Sequence, residues 1–419
     1  MDNLLHSEVD FILVYIINKY GKPLMPCKPA KARKLLRDGK AKVVQRTPFT
    51  IQLLYGSSGY KQAISLGIDA GSKMIGLSAT TEDKVLFEAE VELRNDITKL
   101  LATRRELRRS RRGRKTRYRK ARFLNRKKPD GWLAPSIRSK INTHIKVVEK
   151  VHKILPISQV VVEVAQFDIQ KIKNPEISGI KYQQGEQMGF YNVREYVFYR
   201  DGHKCQHCKG KSKDKILNVH HIESRKIGGD APNNLVTLCK TCHDDYHSGK
   251  IELKIKRGQS FRDASHMNIM RWFLWDKLKE LYPNSKLTYG YITKNTRIKN
   301  GLGKSHRVDA RCISRNPLAK PLDHWYFFKQ VREQNRQLHK ANPKKGKRQA
   351  NKAPQYVYGY QLFDQVEYRN ESCFIFGRRS SGYFDLRKLD GAKISASANY
   401  KELKLLSKAS ALLCERRCL

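Results

Sequence analysis

The chain has 419 residues and a mass of 48.7 kDa, which predicts two to four compact units. Its 85 Lys and Arg residues against 39 Asp and Glu give a formal net charge of +46. Such an excess opposes folding through self-repulsion unless a polyanion neutralises it, so it indicates a large nucleic-acid footprint. A membrane-surface protein is the competing interpretation, but no isolated amphipathic basic helix supports it.

The first elements along the chain predict a small N-terminal module, roughly residues 11–58. The apolar run at residues 11–17 is too short to span a bilayer and no small-residue cleavage site follows it, so it predicts a strand. A turn-rich segment, a basic helix at 29–38 and a strand at 41–55 complete the module.

Three later carboxylates interrupt apolar segments. Asp69 ends the strand-like run 63–69, Glu163 lies within the apolar run 160–164, and Asp309 follows His306 by three residues on one helical face. Each alone is more often a turn, cap or paired residue than a site residue. Gathered at one sheet edge, the three carboxylates could hold two Mg²⁺ ions about 4 Å apart, with His306 assisting attack on a phosphodiester. A carboxylate at a strand end followed by a hairpin resembles the first motif of the RNase H-like nucleases, which include RuvC.

The densest run of charge lies between the first two of these carboxylates. Residues 104–128 hold 15 Lys and Arg with a single acid, Glu106. Terminal runs of this kind are usually disordered, but this one is internal, so we predict a helix that phosphate groups order. The preference for Arg suits bidentate phosphate contacts. The predicted nucleic-acid-binding residues of this run are Arg104, Arg105, Arg108, Arg109, Arg111, Arg112, Arg114, Arg117 and Arg119.

A segment rich in Cys and His is inserted between the second and third carboxylates. A helix at 136–154 leads into the strand of Glu163, a helix at 183–200 enters the inserted segment, and a helix at 267–282 leaves it. Within it, two C-x2-C pairs offer four thiolates for one tetrahedral structural zinc. The four predicted ligands are Cys205, Cys208, Cys239 and Cys242.

The same segment predicts a second metal site made of imidazoles. His220 and His221 come at the end of a short strand, and Asn234 follows a Gly-Gly turn. His243 and His247 are spaced by four residues on a predicted helix, so both rings can reach one ion. A purely structural zinc module with surface histidines is the alternative interpretation.

The last part of the chain, from about residue 323, changes in character. A Lys- and Pro-rich linker precedes residues 355–387, where aromatic and polar residues alternate as in short strands. Arg378 and Arg379 open a basic loop, which favours a duplex-reading domain over a purely structural barrel. The five cysteines outside the inserted segment are scattered and odd in number, as expected for free thiols in a reducing cytoplasm.

The inserted segment resembles the HNH nuclease family, whose fold is two strands and a helix around one catalytic ion. The resemblance implies that His221 is the general base and that His220 and His243 are metal ligands. It also implies that Asn234 supports the loop of the base, and that His247 is a further ligand.

Taken as a whole, the chain resembles the IscB family of transposon-associated, RNA-guided DNA endonucleases. Residues 23–26, which read Pro-Leu-Met-Pro, and the signatures at 184–187, 289–291 and 378–383 add to the match. The implied fold class is α/β and multidomain: an RNase H-like (RuvC) core, an inserted zinc-stapled ββα-metal HNH domain and a small mainly-β C-terminal domain. The implied domains are an N-terminal domain (1–58), RuvC-like parts I (59–95), II (129–190) and III (266–322), a bridge helix (96–128), an HNH domain (191–265) and a target-adjacent-motif domain (323–419).

The family resemblance also implies a function. The HNH site would cut the guide-paired strand and the RuvC-like site the displaced strand, with Mg²⁺ at both sites, structural Zn²⁺ in the HNH domain and a guide RNA. The expected partners are a structured guide RNA (omega RNA) and double-stranded DNA, bound by one protein chain in the prokaryotic cytoplasm. Two alternatives remain open: an RNA-independent homing or junction-resolving nuclease, and a non-catalytic RNA-binding scaffold.

Overall fold

The computed structural model describes residues 12–113, 131–258, 261–333, 339–340 and 349–418. Contacts divide the chain into two compact units. The core unit comprises residues 1–95, 120–166 and 266–419, and the inserted unit comprises residues 96–119 and 167–265. No helix in the described ranges is long and apolar enough to cross a membrane.

The strands are β1 (Tyr15–Ile17), β2 (Ala41–Gln45), β3 (Thr50–Leu53), β4 (Ser65–Ala70), β5 (Met74–Thr80), β6 (Val85–Glu92), β7 (Gln159–Glu163), β8 (Leu217–His221), β9 (Leu235–Cys239), β10 (Ser285–Thr288), β11 (His324–Gln330), β12 (His339–Lys340), β13 (Gln349–Ala350), β14 (Gln365–Tyr368), β15 (Glu371–Arg378), β16 (Tyr383–Arg387), β17 (Lys393–Asn399), β18 (Lys404–Ser407) and β19 (Leu412–Cys418). The helices are α1 (Pro29–Arg37), α2 (Ile97–Gly113), α3 (Pro135–His152), α4 (Ile169–Lys173), α5 (Val193–Arg200), α6 (Arg225–Gly228), α7 (Lys240–His247), α8 (Arg262–Leu281), α9 (Gly290–Lys299) and α10 (His306–Ile313). Single 3-10 turns lie at Gly179–Tyr182, Pro232–Asn234 and Tyr400–Glu402.

A seven-stranded sheet organises the core unit, in the order β10-β7-β4-β5-β6-β11-β19. Strands β4, β5 and β6 form an antiparallel meander, whereas β7 runs parallel to both β4 and β10. The register pairs Ile68 with Val162, and Thr288 with Glu163. Asp69 follows Ile68 and Glu163 follows Val162. The two carboxylate residues therefore lie at the same level of two adjacent parallel strands, at the same edge of the sheet.

Two amphipathic helices cover apolar residues of this sheet. Helix α3 buries a stripe that includes Ile141 and Val148, and α8 buries Met270 and Leu274 in the same cluster. The strands contribute fully buried aliphatic side chains such as Ile68. Each such side chain stabilises the fold by roughly 1.5–3 kcal/mol, so this cluster holds the sheet edge in place.

Helix α10 packs directly on β4 and β5 because two glycines leave room for its backbone. A Cβ at Gly67 would overlap the carbonyl of Ala310, and a Cβ at Gly76 would overlap the carbonyl of His306. A buried ion pair adds a second constraint, since Arg311 Nε lies 2.8 Å from Glu88 Oε1. The position of α10, and of the residues that it carries toward the sheet edge, is therefore fixed by close packing.

Three smaller sheets lie in the described part of the core unit, and one of them is the two-stranded sheet of β12 and β13. The N-terminal sheet has the order β1-β3-β2, and the C-terminal sheet has five strands in the order β17-β16-β15-β14-β18. The single strand predicted at 41–55 is wrong, because a turn divides it into β2 and β3, which pair as an antiparallel hairpin. The predicted fold class is confirmed in its mixed α/β, multidomain character and in the strand-rich C-terminal region.

The inserted unit is built on the β8–β9 hairpin and helix α7. The helix predicted at 183–200 is wrong in its first half, since α5 begins only at Val193. Gly189 adopts φ 86°, a left-handed conformation that does not continue a helix. Asn192 then caps α5, because its Oδ1 accepts a hydrogen bond from the backbone N–H of Glu195 at 3.0 Å.

Candidate functional site

The four cysteines of the inserted unit converge. Their Sγ atoms all lie within 4.8 Å of one another, and the Sγ atoms of Cys208 and Cys239 are 3.8 Å apart. Cys205, Cys239 and Cys242 are buried beside a small apolar cluster. Four thiols at this separation, three of them buried, fit a tetrahedral zinc ion, so this donor set suggests zinc binding.

Three histidines form a second cluster on the same unit. One nitrogen of each ring lies within 4.8 Å of the others. His220 comes from β8, and the Nε2 atoms of His243 and His247, one turn apart on α7, are separated by 3.3 Å. Nε2 of His220 is buried and has no hydrogen-bond partner in the described part of the chain. A buried orphan nitrogen facing two imidazoles fits a divalent metal ion.

The charge state of His220 agrees with a role as a ligand. Burial lowers the pKa of His220 to about 4, and the neighbouring rings of His243 and His247 act in the same direction. The imidazole therefore stays neutral near pH 7, which leaves a lone pair free for a metal.

His221 faces a carboxylate that the sequence analysis missed. Nε2 of His221 lies 2.9 Å from Oδ1 of Asp230. The other carboxylate oxygen of Asp230 accepts hydrogen bonds from Nε and Nη2 of Arg225, at 3.1 and 2.8 Å. Asp230 follows the Gly-Gly turn directly, and this position is the only signal in the sequence that could have identified it.

Asn234 ties down the loop that follows His221. Its side chain is fully buried, and its Oδ1 accepts a hydrogen bond from the N–H of Glu223 at 2.9 Å. Its Nδ2 donates to the carbonyls of Glu223 and Gly229, at 2.9 and 3.0 Å. A Cβ at Gly228 would overlap the amide of Asn234, so the loop closes tightly around this side chain.

An open cleft of about 450 Å³ brings these groups together. Its wall includes the three clustered histidines, His221 and Arg225. The cleft thus presents a metal-ligating cluster, a candidate base and a cation to one volume, which is the set of groups that phosphodiester hydrolysis uses.

The predicted carboxylate site lies on the core unit. Nδ1 of His306 is 2.6 Å from Oδ2 of Asp69. Glu163 is the last residue of β7 rather than lying inside the strand, and its Oε2 accepts a hydrogen bond from Oγ1 of Thr293 at 2.5 Å. Nε of Arg297 is 2.8 Å from Oδ1 of Asp309. The sequence analysis missed both Thr293 and Arg297.

The carboxylates influence one another electrostatically. The pKa of Glu163 is raised to about 7, and burial is the largest cause. The hydrogen bond from Thr293 lowers this pKa, whereas the charges of Asp69 and Asp309 raise it. Burial also raises the pKa of Asp309, and the negative charge of Asp69 raises it further. Among the described residues, however, these carboxylates do not form a group in which one oxygen of each residue lies within 4.8 Å of the others. The donor set suits Mg²⁺, and cation binding would relieve the mutual repulsion.

The predicted nucleic-acid-binding arginines fall into four groups. Arg104, Arg105, Arg108 and Arg109 are exposed on α2. Arg111 and Arg112 lie on the last turn of that helix. Arg114, Arg117 and Arg119 lie outside the described residues. In the C-terminal sheet Arg378 ends β15, and Nη1 of Arg379 donates to Oγ of Ser397 at 2.9 Å.

We expect replacement of Asp230 by Asn to lower the rate of the His221-dependent cut by about 10-fold, part of the 10²–10⁴-fold that a general base contributes. The amide keeps the size of the side chain but loses the charge that orients the ring. Initial rates on an end-labelled DNA strand would measure the effect, with the exposed Glu252→Gln as the matched control on the same unit. A rate equal to that of the unmodified protein would contradict the positioning role.

We expect His144 to make the stability of the core unit depend on pH. The ring is buried, Nδ1 donates to the carbonyl of Lys140 at 2.8 Å, and burial lowers the pKa of His144 from 6.5 to about 4. The unfolded chain therefore binds the proton more tightly, and a contribution of roughly 3 kcal/mol, present above pH 6.5, is lost as the pH falls toward 4.

Urea unfolding at pH 7.5 and pH 5 would measure this effect of His144. The free energy of unfolding should fall less between the two pH values in His144→Gln than in the unmodified protein. The exposed His203→Gln on the inserted unit serves as the control and should leave the pH dependence unchanged. An identical pH dependence in His144→Gln and the unmodified protein would contradict the prediction.

Comparisons with known proteins agree with this geometry. Residues 14–185 match the family model described as RRXRR protein, and residues 205–249 match that of HNH endonuclease. A curated relative, anaredoxin of Nostoc sp. strain PCC 7120, is 42% identical over 41 residues, which are 10% of this chain and 54% of anaredoxin.

Solved structures of Streptococcus thermophilus Cas9 are also similar to part of the chain. The complex with the AGAA PAM has a TM-score of 0.33 and 15% identity, over 50% of this chain and 30% of that one. The complex with the GGAA PAM has a TM-score of 0.32 and 14% identity, over 51% and 30%. The chain thus spans about half the length of the curated relative and under a third of these Cas9 chains.

The cysteine cluster, the histidine cluster and the matching family model define an HNH endonuclease domain. An RRXRR region precedes it on the same chain, and the pattern occurs at residues 108–112, which read Arg-Arg-Ser-Arg-Arg. This combination of an RRXRR region and an HNH domain fits the layout that the resemblance to the IscB family implies.

Proposed function

We propose that the chain is an RNA-guided endonuclease that cuts both strands of a DNA duplex. The HNH domain would cut the strand paired with the guide, and the carboxylate site would cut the displaced strand. The observation that carries the proposal is the presence of two separate nuclease-type sites on one chain of net charge +46. One site suffices for a nick, whereas two sites allow both strands to be cut in one complex.

At the HNH site, the contacts of His221 suggest which nitrogen acts. Nε2–H donates to Asp230, so the lone pair of Nδ1 is free to accept a proton from water. Asn234 keeps the following loop closed and thereby fixes the direction of the ring. His220, His243 and His247 would hold a divalent ion. When bound, the ion supplies polarisation of the scissile phosphate and stabilisation of the leaving oxygen.

At the carboxylate site, Asp69, Glu163 and Asp309 would hold Mg²⁺ between strand ends and helix α10. The hydrogen bond to Asp69 raises the pKa of His306 and holds Nδ1, which directs Nε2 away from Asp69. His306 is therefore placed to donate a proton or a hydrogen bond to a phosphate oxygen. Thr293 and Arg297 orient two of the carboxylates.

A guide RNA is the partner that the charge distribution supports. Residues 104–128 carry 15 Lys and Arg, and four arginines of α2 are exposed: Arg104, Arg105, Arg108 and Arg109. A surface of this kind binds phosphates without reading bases, so base pairing with an RNA would supply the sequence specificity. The basic loop at Arg378 and Arg379 is a candidate for reading a short duplex motif beside the target.

Cleavage of a matched duplex tests this proposal. The purified protein, its co-purified RNA and Mg²⁺ should cut a duplex that carries the guide sequence, and EDTA should prevent cutting. Removal of the RNA by ribonuclease before addition of DNA should also prevent it. Cutting that survives ribonuclease would instead indicate a homing or junction-resolving nuclease. RNA binding without any cutting would indicate a non-catalytic scaffold.

A further inference from the structure

Two exposed tyrosines stand beside the carboxylate site. The rings of Tyr289 and Tyr291 lie nearly parallel, at 10°, with centroids 6.2 Å apart. The side chains are 46% and 66% exposed. Tyr289 precedes helix α9, and its side chain does not cap that helix. The pair therefore presents two aromatic rings to water side by side on one turn.

The backbone connects this pair to the carboxylate site. Thr288, the neighbour of Tyr289, pairs with Glu163 in the sheet. A Cβ at Gly290, between the two tyrosines, would lie 3.1 Å from Oε1 of Glu163. Helix α9 begins at Gly290 and supplies the Thr293 hydroxyl that contacts Glu163. The aromatic pair and the carboxylate are thus held by the same turn.

The surroundings of the pair favour a polyanion. Residues 281–308 contain six Lys and Arg and no Asp or Glu. Four of these cations are exposed: Lys286, Lys294, Lys299 and Lys304. A positively charged surface with aromatic rings is the combination that holds single-stranded nucleic acid, because cations contact the backbone while bases stack on the rings.

We propose that Tyr289 and Tyr291 form a stacking platform for unpaired bases of the DNA strand that enters the carboxylate site. The inference rests on the proposed function and specifies its substrate: a strand whose bases have left the duplex. A base pair inside a duplex is covered on both faces by its neighbours, so an exposed ring selects for an unstacked base. Because the same turn contacts Glu163, stacking here would bring the strand toward that carboxylate.

Strand-resolved cleavage tests the platform. Replacement of both tyrosines by Ala should lower the rate of the carboxylate-site cut by about 10- to 100-fold, the range expected from the loss of one or two stacked bases. Replacement of both by Phe keeps the rings and should restore the rate to within about threefold. The HNH-site rate should stay within twofold in both variants. Tyr20→Ala/Tyr60→Ala, which removes two exposed tyrosines elsewhere on the core unit, serves as the control.

A binding measurement separates this inference from the proposed function. A DNA duplex with a permanently open bubble, containing 2-aminopurine in the bubble strand, needs neither RNA nor cleavage. Fluorescence of 2-aminopurine should fall when the DNA binds to Asp69→Asn. It should also fall with Asp69→Asn that carries Phe at both tyrosine positions, but not with Asp69→Asn that carries Ala at both. Equal quenching by the Ala and Phe variants would overturn the platform even if cleavage proceeds. In a separate binding assay, quenching of 2-aminopurine placed in a guide RNA, together with no quenching in the DNA bubble, would overturn the assignment of the platform to DNA.

Discussion

Cys205→Ser is expected to release zinc from the inserted unit and to unfold the module around it. The apolar cluster beside the four cysteines is small, with Val236 and Leu238 as its buried aliphatic members. A core of this size cannot offset the loss of a structural zinc, which contributes about 10–16 kcal/mol in isolated zinc modules. Because Cys239 and Cys242 join β9 to α7, the change would also displace two of the three clustered histidines.

Zinc content and limited proteolysis measure this outcome for Cys205→Ser. Zinc should fall from one equivalent per chain to near zero, and protease should cut first within residues 205–249. The core unit should stay resistant, because its apolar cluster contains no residue of the cysteine module. Cys418→Ser, at an exposed cysteine outside the cluster, is the matched control. One bound zinc in Cys205→Ser would contradict the assignment of these ligands.

Gly76→Ala is expected to disable the carboxylate site while leaving the HNH site active. The added methyl group would overlap the carbonyl of His306, which is backbone and cannot rotate away. Helix α10 would therefore shift on the sheet, moving His306 and Asp309 away from Asp69. Overpacking of this kind costs about 1–3 kcal/mol, and a displacement near 1 Å can cost 10²-fold in rate.

The rate of each strand's cut, measured separately, tests this effect of Gly76→Ala. The displaced-strand cut should slow by about 100-fold or more, and the guide-paired cut should change by less than threefold. Gly303→Ala is a matched control, because a Cβ there meets no atom within 4 Å and Gly303 lies in the loop just before α10. An unchanged displaced-strand rate in Gly76→Ala would show that α10 does not position the site.

Motifs with fixed spacing could be predicted from the sequence because a short stretch contains most of their geometry. The C-x2-C pairs and the i,i+4 spacing of His243 and His247 already place their ligands on one turn or one helix face. The strands that carry Asp69 and Glu163 were predictable from apolar runs, but their ends were not, since β4 continues to Ala70 and β7 ends at Glu163. Their parallel pairing could not be predicted, since two runs about 90 residues apart in the sequence give no sign of their register.

Long-range contacts could not be predicted. Thr293 reaches Glu163 across 130 residues, and Arg297 reaches Asp309 only because α9 and α10 pack together. No local pattern distinguishes that threonine or that arginine from others in a basic segment. The helix predicted at 183–200 is wrong in its first half for a local reason. Gly189 adopts a left-handed conformation and Asn192 caps the helix that follows, so the helix begins only after these residues although the pattern before them is helical.

The claim of two independent cutting sites is tested most directly by mapping the nicks made by His221→Ala and Asp69→Ala on one matched duplex labelled on both strands. With RNA and Mg²⁺ present, His221→Ala should cut only the displaced strand, and Asp69→Ala only the guide-paired strand. The unmodified protein should give the products of both cuts in equal amounts, and these products calibrate the signals of the two labelled strands. Loss of both cuts in either variant, or nicks on the same strand in both, would contradict the account.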